Sequence, residues 1–193
     1  MRVRLGALQR GHRNRIRDIL YATTVFREEE VAVALELFDE TFAVGQTRAP
    51  YDVGDGVADY EFVGSFAADG GGQLVGYVCY GSTPGTDRTY DLYWIAMHPD
   101  FQGSGGGSQL LDEVERRLRQ REARLLVVET SSRDDYAPTR RFYDAHGYTV
   151  VARIADFYAP GDSRVIYTKR LTQPQHERAA HFHDRALESS RNE

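Results

Sequence analysis

Residues 90–121 constrain the fold more than any other stretch of the chain. An aromatic and apolar strand, Tyr90 to Met97, runs into His98-Pro99-Asp100-Phe101-Gln102-Gly103-Ser104-Gly105-Gly106-Gly107-Ser108, and that turn opens a helix from about Gly106 to Arg121. Leu110, Leu111, Val114 and Leu118 make one apolar stripe, while Glu113, Arg116, Arg117 and Gln120 face water. A strand–turn–helix unit of this kind buries its stripe on a sheet. Closely spaced glycines let backbone N–H groups converge, and the helix start adds partial positive charge, so the turn is a candidate phosphate cradle.

The flanking sequence supplies the sheet. Val3 to Leu8 reads as a first strand, and His12 to Ala22 and Glu28 to Phe42 read as helices, the second with Val31, Leu35, Phe38 and Phe42 on one stripe. Ala43 to Asp59 reads as a loop. Tyr60 to Ser65 and Leu74 to Tyr80 read as a hairpin around Asp69-Gly70-Gly71-Gly72. Leu125 to Glu129 is a buried-type strand, and Pro138 to His146 is a short helix closed by Gly147. Tyr148 to Ile154 and Arg164 to Arg170 are two more strands, joined through Tyr158-Ala159-Pro160-Gly161-Asp162. Hairpins followed by strand–helix–strand–helix–strand–strand give an α+β (mixed α/β) class. From Thr172 onward the chain is polar and reads as a tail. Residues 1–171 are expected to form one domain, divided into an N-terminal part, 1–59, and a core, 60–171.

Composition removes several functions. Lys and Arg number 24 against 29 Asp and Glu, a net charge of −5, so there is no basic excess for nucleic acid. The one cysteine, Cys79, excludes an intramolecular disulfide and fits the cytoplasm; it reads as a small buried hydrophobe. No apolar run is long enough for a membrane span, and the N-terminus lacks a secretory pattern. His176, His181 and His183 lack a completing acid or cysteine, so no metal is expected.

Three phosphate-binding patterns compete for the turn. A dinucleotide fingerprint starting at Gly103 meets Gly105 but then Ser108 where a third glycine belongs, and a P-loop needs a lysine that is absent. Gln102-Gly103-Ser104-Gly105-Gly106-Gly107 instead resembles the Gln/Arg-x-x-Gly-x-Gly/Ala turn of the GNAT superfamily of N-acyltransferases, with Ile95-Ala96-Met97 and His98-Pro99 before it. Arg141-Phe142-Tyr143-Asp144-Ala145-His146-Gly147-Tyr148 is similar to that family's helix-to-strand signature. The resemblance covers about residues 60–171, and implies acetyl-CoA binding there and an acceptor-side role for residues 1–59. It implies a mixed, mostly antiparallel sheet of about six to seven strands flanked by about four helices. It also implies that acetyl-CoA lies with its pyrophosphate on Gln102, Gly103, Ser104, Gly105, Gly106, Gly107 and Ser108, and its pantetheine arm along Ile95, Ala96 and Met97. Tyr136 stands where the family often has a cofactor-contacting asparagine.

Acetyl transfer to an amine needs a proton acceptor, because an alkylammonium has a pKa near ~10, and a proton donor for the leaving thiolate. The resemblance implies Tyr143 as that donor. For the base, Glu129 ends an apolar strand at the carboxyl edge where sites in open sheets gather. It is also similar in place to the glutamate of the ribosomal-protein alanine acetyltransferase branch. Asp91, where the histone-type branch carries its glutamate, is the rival, and a water chain without a dedicated base is a third route. Strict alternation would put Asp91, Tyr93, Ile95 and Met97 on one face of the strand, with Trp94 in the core. Tyr93 and Tyr158 are the candidate acceptor-pocket walls, with Phe157 beside them. The implied function is direct acetyl transfer from acetyl-CoA to a primary amine of a small molecule or a peptide N-terminus. The alternative is a non-catalytic acyl-CoA sensor or interaction module. Neither choice fixes the oligomeric state, and a homodimer stays open.

Overall fold

The computed structural model describes residues 2–43, 60–68 and 71–172. The chain forms seven strands: β1 (Val3–Gly6), β2 (Tyr60–Ala67), β3 (Leu74–Ser82), β4 (Thr89–Met97), β5 (Leu125–Ser131), β6 (Thr149–Ala159) and β7 (Asp162–Arg170). Four helices accompany them: α1 (Arg13–Thr23), α2 (Glu28–Thr41), α3 (Gly106–Gln120) and α4 (Ala137–Ala145). The strands form one sheet in the order β1-β2-β3-β4-β5-β7-β6. Every neighbouring pair is antiparallel except β4 and β5, which α3 joins as a crossover unit.

Two apolar layers sandwich the sheet. On one face Leu110, Leu111, Val114 and Leu118 of α3 pack with Val78, Leu92 and Tyr143; on the other Ile16, Ile19 and Leu20 of α1 and Val31 and Phe38 of α2 pack with Tyr77 and Ala96. The stripes predicted for α2 and α3 are therefore the buried ones. The start of α2 is set by three glutamates in its first turn, which favour the positive helix end, and by the Glu30 carboxylate accepting the Arg27 N–H at 2.7 Å. One charge on α3 is buried against expectation from its neighbours. Glu115, 3% exposed, accepts from Lys169 Nζ at 2.8 Å, from Arg119 and from the Tyr148 hydroxyl.

Two expectations change. β6 and β7 extend to Ala159 and back to Asp162, so the connection shrinks to Pro160-Gly161 and Tyr158 sits on a strand. The Gly161 N–H donates to Asp156 Oδ1 at 2.7 Å, which ties off that tight turn. The predicted loop after Ala43 and the tail with His176, His181 and His183 lie outside the described residues.

Candidate active site at the parting of β4 and β5

β4 and β5 pair only over Thr89–Leu92 and Leu125–Val128. Beyond that point β4 continues alongside β3 to Met97, while β5 runs to Ser131 and pairs with β7. The two parallel strands thus part into a V whose β4 edge, over residues 93–97, has no strand partner among the described residues. Tyr93 marks the fork. Cys79 pairs with Trp94 and Tyr80 with Leu92, so Tyr93 is an extra residue on β4.

That bulge corrects the expected alternation. Tyr90 and Leu92 face the α3 layer, and so do Ile95 and Met97, while Tyr93, Trp94 and Ala96 pack with the α1–α2 layer. Asp91, Tyr93, Ile95 and Met97 therefore do not share a face, and Trp94 is half-buried beside Tyr93 instead of lying opposite it. The side chains of Ala96 and Met97 are buried, so what this stretch offers a ligand is main chain.

At the far end of the V the turn is built in the same economical way. Gln102 donates from Nε2 to the Met97 carbonyl at 3.2 Å, Ser104 donates to the Phe101 carbonyl at 2.6 Å, and Ser108 Oγ meets His146 Nε2 at 3.0 Å. These three polar side chains are engaged inside the protein. The amides of residues 103–108 donate no hydrogen bond among the described residues; the ladder of α3 begins with Gln109 N–H to Gly105 O at 3.0 Å. Gly105 holds φ +81° just before the helix, and a Cβ placed there meets nothing within 4 Å, so the space above the turn is open. At Gly106 a Cβ would lie 2.6 Å from Met97 Cε, so glycine lets the helix start press onto the end of β4. Six free N–H groups at a helix N-terminus are a fitting seat for a pyrophosphate.

His146 is a residue the sequence reading quoted without assigning it a task. Its Nδ1 lies 2.7 Å from the Phe142 carbonyl, which only accepts, so Nδ1 carries a proton. In the neutral ring Nε2 then accepts from Ser108, and the end of α4 is pinned to the first turn of α3.

On the α1–α2 face of the V lies a cavity of about 370 Å³. Asp91, Tyr93 and Trp94 line it from β4, Glu129 and Ser131 from β5, and Tyr158, Asp162 and Arg164 from β6 and β7. Phe26 and Arg27, between α1 and α2, Glu30 of α2, and Arg133 and Tyr136 line it as well. Asp91, Tyr93, Glu129, Tyr136 and Tyr158 are thus brought together around one space. Asp91 accepts from Thr83 Oγ1 at 2.6 Å, and Glu129 is paired with the Arg164 guanidinium. Tyr93 is pushed up to about 12 by burial first and by the Asp91 charge second, and burial with Glu30 and Asp162 raises Tyr158 too. Tyr136 stands against Phe26 edge-on at 6.4 Å, with the Arg133 guanidinium 5.1 Å from its ring centre.

Tyr143 is not among the cavity residues. It is 2% exposed, packed against Tyr148 and Tyr167, and its hydroxyl has no hydrogen-bond partner among the described residues. Burial raises its pKa well above the ordinary tyrosine range, which keeps the proton on oxygen at neutral pH. Cys79 is buried and its thiol is likewise pushed up, so it is inert as a nucleophile. Among the described residues no cluster of three His, Cys, Asp or Glu side chains is placed to hold a metal, and no helix is long and apolar enough to cross a membrane. Asp162 and Arg164 were missed in the sequence; both fall in what read as a connection and the start of a strand, and only the tertiary fold turns them inward.

Comparison with known proteins follows the same lines. The profile of the Acetyltransferase (GNAT) family matches residues 31–148. A crystal structure from Desulfovibrio desulfuricans, assigned to the GNAT family of acetyltransferases, is 39% identical, with 89% of this chain and 99% of that one covered and a TM-score of 0.74. The ribosomal-protein-S18-alanine N-acetyltransferase of Escherichia coli shares the fold at 14% identity, covering 90% and 96% of the two chains with a TM-score of 0.67. Salmonella typhimurium yncA, solved with its cofactor acetyl-CoA, does so at 17% identity, 90% and 96% coverage and a TM-score of 0.65. No curated protein matches significantly. The profile match over residues 31–148 and the 39% identical structure of the same fold show that this chain belongs to the acetyltransferase (GNAT) family.

Proposed function

We propose that the chain is an acetyl-CoA-dependent N-acetyltransferase that works in the cytoplasm and transfers an acetyl group directly to a primary amine of a small molecule or a peptide N-terminus. The observation that carries this reading is the row of undonated amides at residues 103–108, at the far end of an unpaired strand edge that borders an acid-bearing cavity. Acetyl-CoA supplies an activated thioester. The chain's own groups supply the rest. The amides of residues 103–108 hold the pyrophosphate, and the open edge of Ile95, Ala96 and Met97 pairs with the pantetheine arm and offers N–H groups to the thioester carbonyl.

The acceptor amine enters the cavity as its ammonium form and must lose a proton before it attacks. Glu129 and Asp91 both line the space it enters. Glu129 takes that proton by sharing its carboxylate between Arg164 and the amine, and Asp91 has one oxygen not engaged by Thr83. Tyr143, kept protonated by burial, donates to the departing thiolate. Tyr93 and Tyr158 flank the amine stem with aromatic surface.

Calorimetric titration with acetyl-CoA, with NAD and ATP as controls, tests the reading, followed by free-thiol release across a panel of primary amines. Selective acetyl-CoA binding and amine-dependent thiol release are expected. Absence of acetyl-CoA binding overturns the cradle. Binding without thiol release for any amine favours the sensor alternative.

A further inference from the structure

The link between α1 and α2 lines the cavity through Phe26 and Arg27, and it is held there by a closed circuit of contacts. Asp162, 4% exposed, accepts from Ser131 Oγ and from the Ser132 N–H on one oxygen, and from Arg27 NH2 at 3.0 Å on the other. Ser131 Oγ in turn accepts the Arg133 N–H at 3.0 Å. The Arg133 side chain then reaches back to donate to the Val25 carbonyl at 2.7 Å. The circuit leaves the link at Arg27 and returns to it two residues earlier. Between the two anchor points Phe26 meets Tyr136. The partners are separated by 135 and 108 positions in sequence, so the circuit joins the α1–α2 link to segments far along the chain.

We infer that Asp162 is a positioning residue that fixes residues 25–27 as a rigid wall of the acceptor cavity and so limits the size of the amine admitted. Its carboxylate is suited to this because both oxygens are used at once. One holds the end of β5, where Glu129 and Ser131 stand, and the other holds the strap. A buried carboxylate without the guanidinium is costly, so the closed arrangement is the favoured one while both partners are present. Arg27 is also the residue whose N–H is capped by Glu30, so moving its backbone disturbs the first turn of α2 as well. The strap is thus held at both the side chain and the main chain. The cavity it borders, at about 370 Å³, is of small-ligand size.

This inference rests on reading the cavity as the acceptor site, and the test separates the two. Amide hydrogen exchange is measured on the full-length wild type, on Asp162→Asn and on Arg27→Gln, with and without acetyl-CoA. Asp162→Asn keeps the volume and the Ser131 contact but discards the charge pair. Exchange of the amide of residue 27, which donates to Glu30, is expected to rise roughly tenfold in each variant, the loss of one partly exposed charge-assisted hydrogen bond. The double variant should add nothing further, because one circuit is broken either way. The affinity for acetyl-CoA and exchange in α3 should stay as in the wild type. In thiol-release assays the ratio of kcat/KM for the bulkiest amine turned over to that for the smallest should rise severalfold, through KM and not kcat. Unchanged exchange of that amide, a uniform rise across the sheet, or an unchanged size ratio overturns the inference. Failure of the wild type to bind acetyl-CoA overturns the proposed function instead, and leaves the exchange result to decide the clasp on its own.

Discussion

The turn at residues 102–108 and the cavity beside it are neighbours built on opposite plans. In the turn, side chains are spent on internal contacts and the main chain is left for the ligand: Gln102, Ser104 and Ser108 are all engaged, while the amides from Gly103 to Ser108 are open. In the cavity, the side chains of six segments meet and are matched in acid–base pairs such as Arg27 with Asp162 and Arg164 with Glu129. A main-chain site is local in sequence and forgiving of composition. A side-chain site is assembled from distant positions and tunes selectivity one residue at a time. Under the proposed function, that difference puts cofactor binding in the turn and choice of acceptor in the cavity.

Substitutions can break that division. Gly105→Glu should weaken acetyl-CoA binding roughly a thousandfold by calorimetry, since a left-handed backbone disfavours any side chain and a carboxylate would face the phosphates. A tolerated glutamate would mean the turn does not seat an anion. Tyr143→Phe should lower kcat roughly a hundredfold with acetyl-CoA affinity unchanged, the loss of one general acid. If the rate is unaffected, Tyr143 is only core. Glu129→Gln and Asp91→Asn, assayed across pH, should each lower kcat/KM for the amine roughly tenfold at neutral pH, with the larger loss naming the base. Equal and negligible losses would favour a water chain. The smallest effect belongs to a side chain that crosses the divide: His146→Ala frees the first turn of α3 and should weaken acetyl-CoA about fivefold, the worth of about 1 kcal/mol. No change would confine the Ser108 contact to folding.

The same division explains what could be read in the sequence. The turn was legible because its glycines are contiguous and follow a strand, and the stripes of α2 and α3 were legible because burial repeats at helical spacing. The seven strands and four helices followed from such local signals. The face assignment along β4 was not legible, because the extra residue Tyr93 is defined only by which residues of β3 stand opposite. Asp162 and Arg27 gave no signal for a related reason. A polar residue in a tight connection looks like turn chemistry until its partner, more than a hundred positions away, is known. Nothing in the sequence singles out Glu115, because Lys169 and Tyr148 reach it only through the tertiary fold.

The bulge at Tyr93 has a consequence in terms of parity. A strand assigns odd positions to one side and even positions to the other, and no substitution alters that assignment. One inserted residue does. Upstream of it an odd position, Asp91, looks into the cavity, and downstream the odd positions Ile95 and Met97 look toward α3. Removing residue 93 while the later contacts stay fixed would move Asp91 into the place of Leu92 and Leu92 into the place of Tyr93, sending an acid into the apolar layer and a leucine toward the cavity. The chemistry on this strand is therefore protected from drift by point mutation but exposed to the gain or loss of a single codon.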